Sequence, residues 1–299
     1  MSLDGPITSF SELPNPPEEA ARAAIIPAPL EATVSYGHGT SLGPAAIIFA
    51  SQQLELYDNV VDCQVMDLGV ITRPAVNVSP PLETALTRIE AAVGRELDAG
   101  RLPVLLGGEH TVTVAALRAL VKRRGADFTV LSLDAHLDLR DSYEGSPYSH
   151  ACAMRRALDL GLEVRHFGAR SCSLAEMELI RARGMEPLWA REVHNDPDWL
   201  QKAVAGLEGP VYLTLDVDGF DASVMPATGT PEPGGLSWPQ VTAWLEAVCA
   251  RCPVIGLDVV ELAPLMGMTA WDFTAAKLVH RALGLALLGG PKPSHGSER

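Results

Sequence analysis

Three short segments concentrate acids and imidazoles in a pattern that chemistry can use. "LLGGEH" ends on His110, "LSLDAHLD" carries Asp134, His136 and Asp138, and "LTLDVDGFD" carries Asp216 and Asp218. Each begins as an apolar run and turns polar towards its carboxyl end. Within the second and third segments the spacing is two, so extended backbone would aim those side chains to one side of a strand. Carboxylates gathered at a sheet edge repel one another, and buried charges need partners. A pair of divalent cations, with one or two carboxylates bridging them, meets that need. Four carboxylates and two imidazoles without a thiolate form a hard, oxygen-rich donor set. It favours Mn²⁺ over a structural zinc, although Co²⁺, Ni²⁺ or Zn²⁺ could bind in vitro. Two metals about 4 Å apart bring a water near deprotonation at neutral pH and hold it for attack, so the pattern points to a binuclear metal hydrolase. A lone Asp or His at a strand end is ordinarily a cap or a satisfied polar group, and Asp141, Asp221, His166 and His280 are read in that way.

Such a cage requires strands that end together. Strand-like runs lie at 23–28, 63–69, 102–108, 128–136, 164–171, 185–190, 211–218 and 253–262. Helix-like segments lie at 44–57, 82–97, 112–124, 151–160, 174–183, 198–207, 239–250 and 269–287. Continuous apolar strands separated by helices predict a mostly parallel central sheet covered on both faces, an α/β three-layer (α/β/α) fold. Ligands of such sheets bind beyond the carboxyl ends of the strands, where the acids and imidazoles stand. Connections are short, with no repeat and no dividing linker. The expectation is one domain over 1–299, with a polar, Pro-rich leader (1–20) and a frayed tail (290–299, ending "PKPSHGSER") as peripheral pieces.

Composition bounds the function. With 47% hydrophobic and 20% charged residues the chain reads as a soluble globular protein. A formal net charge of −14 argues against nucleic acid or an anionic membrane as partner. No apolar run approaches the roughly 20 residues of a membrane span. The start, "MSLDGPITSF", lacks the basic-then-apolar pattern of a secretory signal, so a cytoplasmic location is expected. Five scattered cysteines do not form a disulfide framework. Cys249 and Cys252 make a CxxC without two further ligands nearby, and they are read as free thiols at a helix–strand junction.

In order, "GGEHTVT", "SLDAHLDLRD" and "LDVDGFDASVMPATGTPEPGGLSW" resemble the signatures of the ureohydrolase family, which includes arginase and agmatinase. The likeness runs from "SYGHGTSLGPAAI" to the last helix. It implies a three-layer α/β fold and two Mn²⁺ per subunit, hydrolysing a guanidinium group to urea and an amine. By motif position it puts His110, Asp134, Asp138 and Asp216 on the first metal. It puts Asp134, His136, Asp216 and Asp218 on the second, so that Asp134 and Asp216 bridge. The resemblance makes Glu261, in "DVVELAP", the carboxylate that grips the guanidinium, where a helix-capping acid is the plainer reading. His150, in "YSHACAMRRA", becomes a proton relay to the leaving amine, where the plainer reading is a helix N-terminal His. Asp138 becomes the carrier of the attacking water's proton.

Departures from the family pattern are few. Its usual "GGDHS" reads "GGEHT" here, and because Glu109 is no ligand the change falls on the bonding around the ligands. Ala222 stands where "DPS" or "DPA" is common. Arginases resembling this chain carry an Asn two residues beyond the last ligand of DAHxD, a position held here by Arg140. The "DAHLDLRDSYEG" and "YSHACAMRRA" segments look more like the agmatinase branch, whose substrate lacks the α-carboxylate and presents a second cationic end. Asp141 and Glu144 could greet that amine, although for either alone a solvated loop charge is the plainer reading. The expected substrate is therefore a small cationic guanidine: agmatine, giving putrescine and urea in polyamine biosynthesis. Aminopropylagmatine, arginine or another guanidino acid are the alternatives. Family members are commonly trimers or hexamers, so a homo-oligomer is expected. One rival on the same fold, a zinc amide deacetylase, would need a single strong metal site. A rival of another class is a non-catalytic polyamine-binding or regulatory homologue.

Overall fold

Seven of the eight expected strand runs enter a single sheet in the computed structural model, which describes residues 9–290. In chain order the strands are β1 (Ala23–Ala28), β2 (Tyr57–Asp58), β3 (Cys63–Gln64), β4 (Val70–Thr72), β5 (Leu102–Gly107), β6 (Thr129–Leu133), β7 (Glu163–Ala169), β8 (Leu188–Trp189), β9 (Val211–Asp216) and β10 (Val254–Val260). The helices are α1 (Gly43–Ser51), α2 (Leu82–Asp98), α3 (Val112–Arg124), α4 (Ala153–Asp159), α5 (Leu174–Arg183), α6 (Ala190–Asn195), α7 (Trp199–Val204), α8 (Trp238–Arg251) and α9 (Ala270–Leu288). Eight parallel strands run in the order β4-β1-β5-β10-β9-β6-β7-β8, and β2 and β3 form a separate antiparallel pair.

Alternation along the strands divides two cores. Val104 and Leu106 of β5, with Leu213 and Leu215 of β9, pack beneath α1, α8 and α9, while Leu105 and Tyr212 face α2 and α3. Both faces are covered, which is why the strands read as largely apolar runs rather than strictly alternating ones. Helix α2 shows the complementary pattern: Ala85, Leu86, Ile89, Ala92 and Val93 are buried on one face at helical spacing.

The expected strand at 63–69 is corrected. Only β3 is extended there; Val65–Leu68 form a single 3-10 turn, closed by Gly69 at φ +87°. A Cβ on Gly69 would lie 2.2 Å from the Ala20 carbonyl oxygen, so the chain can pass only as glycine. Val65 and Met66 sink into the core as a turn, and the edge strand is the short β4 that follows. The leader is not wholly peripheral either. Phe10 is fully buried and its N–H donates to Thr72 Oγ1 at 2.8 Å. The tail from residue 291 lies outside the described residues. Cys249 is buried in α8 and Cys252 follows its last residue, both as free thiols.

A buried charge cluster joins the β2–β3 pair to α9. Asp58 accepts from Arg281 Nε at 2.7 Å and lies 3.5 Å from Lys277 Nζ. Burial opposes its ionisation, but the contacts with His280 and Arg281 override it and hold the carboxyl far below its ordinary value. Asp58→Ala is expected to cost about 3 kcal/mol in urea-induced unfolding, because buried Arg281 loses its closest carboxylate and is left with Glu246 at 3.7 Å. A depressed carboxyl contributes its stability above the unfolded pKa and loses it as pH falls. The gap between wild type and variant should therefore narrow below about pH 4.

Candidate metal centre

Strands β5, β10, β9 and β6 are neighbours at the middle of the sheet, and their carboxyl ends define one crevice. Consecutive in the chain, β5 and β6 are separated in space by β10 and β9, a reversal of strand order of the kind at which open α/β sheets bind ligands. His110 follows β5, Asp134 follows β6, Asp216 ends β9 and Glu261 follows β10. The register levels them: Leu133 pairs with Leu215, and Asp216 pairs with Val260. Gly108 makes the approach from β5 possible. Its N–H donates to Ala28, its carbonyl accepts Glu261 N–H at 2.8 Å, and a Cβ there would fall 1.9 Å from Leu30 O.

The pleat does not deliver the side chains, contrary to the expectation from their spacing of two. Strand β6 stops at Leu133, and Asp134, His136 and Asp138 follow in a loop. Asp134 Oδ1 accepts His136 N–H at 2.6 Å, and Asp216 Oδ1 accepts Asp218 N–H at 2.8 Å. The same aspartate turn thus closes both strand ends and sets the i, i+2 pattern. Asp138 and Glu261 occupy left-handed backbone, φ +49° and +65°, at a cost of about 1–2 kcal/mol each.

Side chains from these ends converge. His110 Nδ1 lies 2.9 Å from Asp138 Oδ2, 3.2 Å from Asp134 Oδ2 and 3.5 Å from Asp216 Oδ2. His136 Nδ1 lies 3.0 Å from Asp218 Oδ2 and 3.6 Å from Asp134 Oδ1. Two groups, His110–Asp134–Asp216 and Asp134–His136–Asp218, each gather their donor atoms within 4.8 Å and share Asp134. All of these residues except His136 are buried. His110 Nδ1 and Asp134 Oδ2 are buried without a hydrogen bond of acceptable geometry, despite the short ion-pair distances.

The electrostatics agree with a cation-binding role. Burial, reinforced by the charge of Asp134, pushes the Asp138 carboxyl up to about 6. Burial and then Asp218 and Asp134 push Asp216 well above its ordinary value. Burial would depress the two imidazoles, but the carboxylates prevail, holding His110 well above normal and His136 at about 12. Without a cation this cluster must hold protons that divalent metals would displace. Orphaned donor atoms in an acid-rich, buried set of this kind fit two metals.

A further layer fixes the His110 ring. Thr214 Oγ1 donates to Asp258 Oδ1 at 2.7 Å, and Asp258 Oδ2 accepts Tyr212 OH at 2.7 Å and Thr113 Oγ1 at 2.8 Å. With the Thr214 proton committed to Asp258, its 2.8 Å contact to His110 requires Nε2–H to donate. Nδ1 then keeps its lone pair for the cluster. Arg170 pins the neighbouring loop by donating to the carbonyls of Gly168, Asp218, Gly219, Phe220 and Glu232.

A cavity of about 240 Å³ opens over the cluster, with Asp138, Asp216, Glu261 and His150 in its lining. Glu261 Oε1 accepts His110 N–H at 2.6 Å; burial, then the charge of Glu109, drives its pKa well above normal despite that bond. Burial lowers the pKa of His150. Arg140 also lines the cavity, its guanidinium 4.9 Å above the Tyr143 ring. Asp141 and Glu144 do not line it. Asp141 pairs with Arg156 at 2.9 Å and Arg155 at 3.4 Å, outside the cavity. A further buried acid in the wall is Glu176, which holds Leu139 N–H at 3.0 Å while capping α5. Its signal in the sequence was the capping box "SLAE". His166 and His280 lie outside the cluster, each with Nε2 on a carbonyl, of Leu137 and Leu56.

Comparison with known proteins adds the family. Residues 21–284 match the model of the Arginase family. The chain belongs to the arginase family. This arginase-family chain is 38% identical over 285 residues to the N(1)-aminopropylagmatine ureohydrolase of Synechocystis sp., covering 93% of this chain and 90% of the relative. It is 35% identical over 280 residues to the agmatinase of Pyrococcus horikoshii, covering 92% and 95%. Among solved structures it is similar to the agmatine ureohydrolase of Thermoplasma volcanium, with a TM-score of 0.79, 31% identity and coverage of 90% and 91%. The arginase family is one of binuclear metal enzymes, and this member is a hydrolase of guanidino C–N bonds. Among the described residues no helix is long and apolar enough to cross a membrane.

Proposed function

We propose that this arginase-family hydrolase converts agmatine to putrescine and urea with two Mn²⁺. The observation that carries the reading is Glu261, a buried carboxylate that shares one cavity with the donor cluster. A planar cation is the partner that would restore its charge in so dry a site. His110, Asp134, Asp138 and Asp216 would hold one ion, and Asp134, His136, Asp216 and Asp218 the other. When bound, the metal pair supplies the Lewis acidity that readies a water for attack.

The remaining steps belong to side chains. Glu261 binds and orients the guanidinium, itself held in place by His110 N–H. Asp138 takes the proton of the attacking water on a carboxylate oxygen. The new C–O bond forms as the bond from carbon to the alkylated nitrogen breaks. His150 accepts the proton that Asp138 took from the water and passes it to this nitrogen, which departs as an amine. Tyr143 and Val34 wall the cavity against bulk water.

Aminopropylagmatine is the second reading, favoured by the Synechocystis relative. The test is urea release by Mn²⁺-loaded protein from agmatine, aminopropylagmatine, arginine and guanidinobutyrate. Agmatine is expected to give the highest kcat/KM. A higher value for aminopropylagmatine transfers the assignment to the second reading, and preference for arginine or guanidinobutyrate overturns both.

A further inference from the structure

Glu109 precedes His110 but turns away from the donor cluster. It is fully buried, and its Oε2 accepts the N–H groups of Ala32 and Thr33, both at 2.7 Å. Its Oε1 faces Thr33 Oγ1 at 3.0 Å. That same hydroxyl oxygen accepts the backbone N–H of His150 at 3.0 Å and lies 3.3 Å from His150 Nδ1. One threonine hydroxyl therefore stands between a buried acid and the imidazole of the cavity wall.

The hydroxyl has one proton and two prospective acceptors. The carboxylate is both closer and charged, so the proton goes to Glu109. The contact between Thr33 and His150 is then favourable only if Nδ1 carries a hydrogen and donates it. Ser149 Oγ, also 3.3 Å from Nδ1, can accept the same hydrogen and presents no conflict. Nδ1–H leaves the lone pair on Nε2.

We propose that Thr33 and Glu109 are positioning residues that hold His150 as its Nδ1–H tautomer, so that Nε2 is the nitrogen available for proton transfer in the cavity. The proposal rests on the reading of His150 as the relay to the departing amine. It extends that reading to a loop after β1 that contributes nothing to the donor cluster. Neither residue touches the reacting atoms. Their effect passes through the ring they hold.

The experiment is a double-mutant cycle on the Mn²⁺-loaded enzyme, with kcat, KM and metal content measured for each variant. Thr33→Val is expected to lower kcat about tenfold or more, a share of what a well-placed acid–base group supplies, with KM and metal content unchanged. Thr33→Ser keeps the hydroxyl and restores kcat. In a His150→Asn background Thr33→Val changes nothing further, because there is no tautomer left to set. A Thr33→Val enzyme with wild-type kcat, or one whose loss adds in full to that of His150→Asn, overturns the positioning role. If His150→Asn alone keeps wild-type kcat, the relay reading fails and takes this proposal with it. A slow His150→Asn beside a fast Thr33→Val removes the proposal alone.

Discussion

Asp134→Ala is expected to abolish metal loading and urea release together while leaving the fold intact. Asp134 is the residue common to both donor groups, and its Oδ2 is buried with no hydrogen bond to lose. Its other oxygen closes the turn that aims His136, so the substitution removes a ligand from both sites and loosens another. Metal assistance is worth several kcal/mol of transition-state stabilisation, which places the loss on the order of 10³–10⁴-fold or beyond. Asp134→Asn separates the two roles, because an amide oxygen can still accept His136 N–H but carries no charge. It should keep the turn and still fail to load metal. Elemental analysis after gel filtration, with circular dichroism for the fold, reads both variants. An alanine variant that retains its metals or its activity contradicts the assignment of Asp134 as a bridge.

Glu261→Gln is expected to split binding from metal loading in the opposite way. The side chain is not part of either donor group, and the backbone N–H of residue 261 is already committed to Gly108 O, so metal content and fold should be unchanged. What disappears is the charge that makes two parallel hydrogen bonds to a guanidinium strong. At about 1.5–3 kcal/mol for each charge-assisted bond, kcat/KM for agmatine should fall roughly 10²–10⁴-fold. Steady-state kinetics on the fully loaded variant gives the number. Unchanged kcat/KM would leave Glu261 as no more than an anchor for the backbone of His110.

Much of this architecture was legible because burial on both faces leaves its mark on a strand. The runs that became β5, β6, β9 and β10 are largely apolar and then gather acids and imidazoles at or just past their carboxyl ends, so the donors could be read as strand-end residues before their order in space was known. The reason for their spacing was not legible. Alternation along a pleat and an aspartate turn both give i, i+2, and only backbone geometry separates them. The misread stretch at 63–69 failed for a related cause, since Val65, Met66 and Leu68 ahead of Gly69 suit a buried turn as well as a strand.

What the sequence withheld altogether was contact over distance. Thr33 and Glu109 are 76 residues apart and meet because β1 and β5 pair in register, Ala28 beside Gly107. Asp141 read as a loop charge, and nothing near it in the chain announced that α4 brings Arg155 and Arg156 to it. Asp258 read as one more residue of a buried strand, yet it gathers three hydroxyls beneath His110. Each case depends on which strand or helix lies next to which, information that no local pattern carries.

Titrating metal-free protein with Mn²⁺ while following urea release from agmatine is the most direct measurement. Activity should rise to a plateau at two equivalents per chain and vanish on chelation. A plateau at one equivalent, or no urea from agmatine or any related guanidine with two equivalents bound, would contradict a binuclear guanidine hydrolase built on these six ligands.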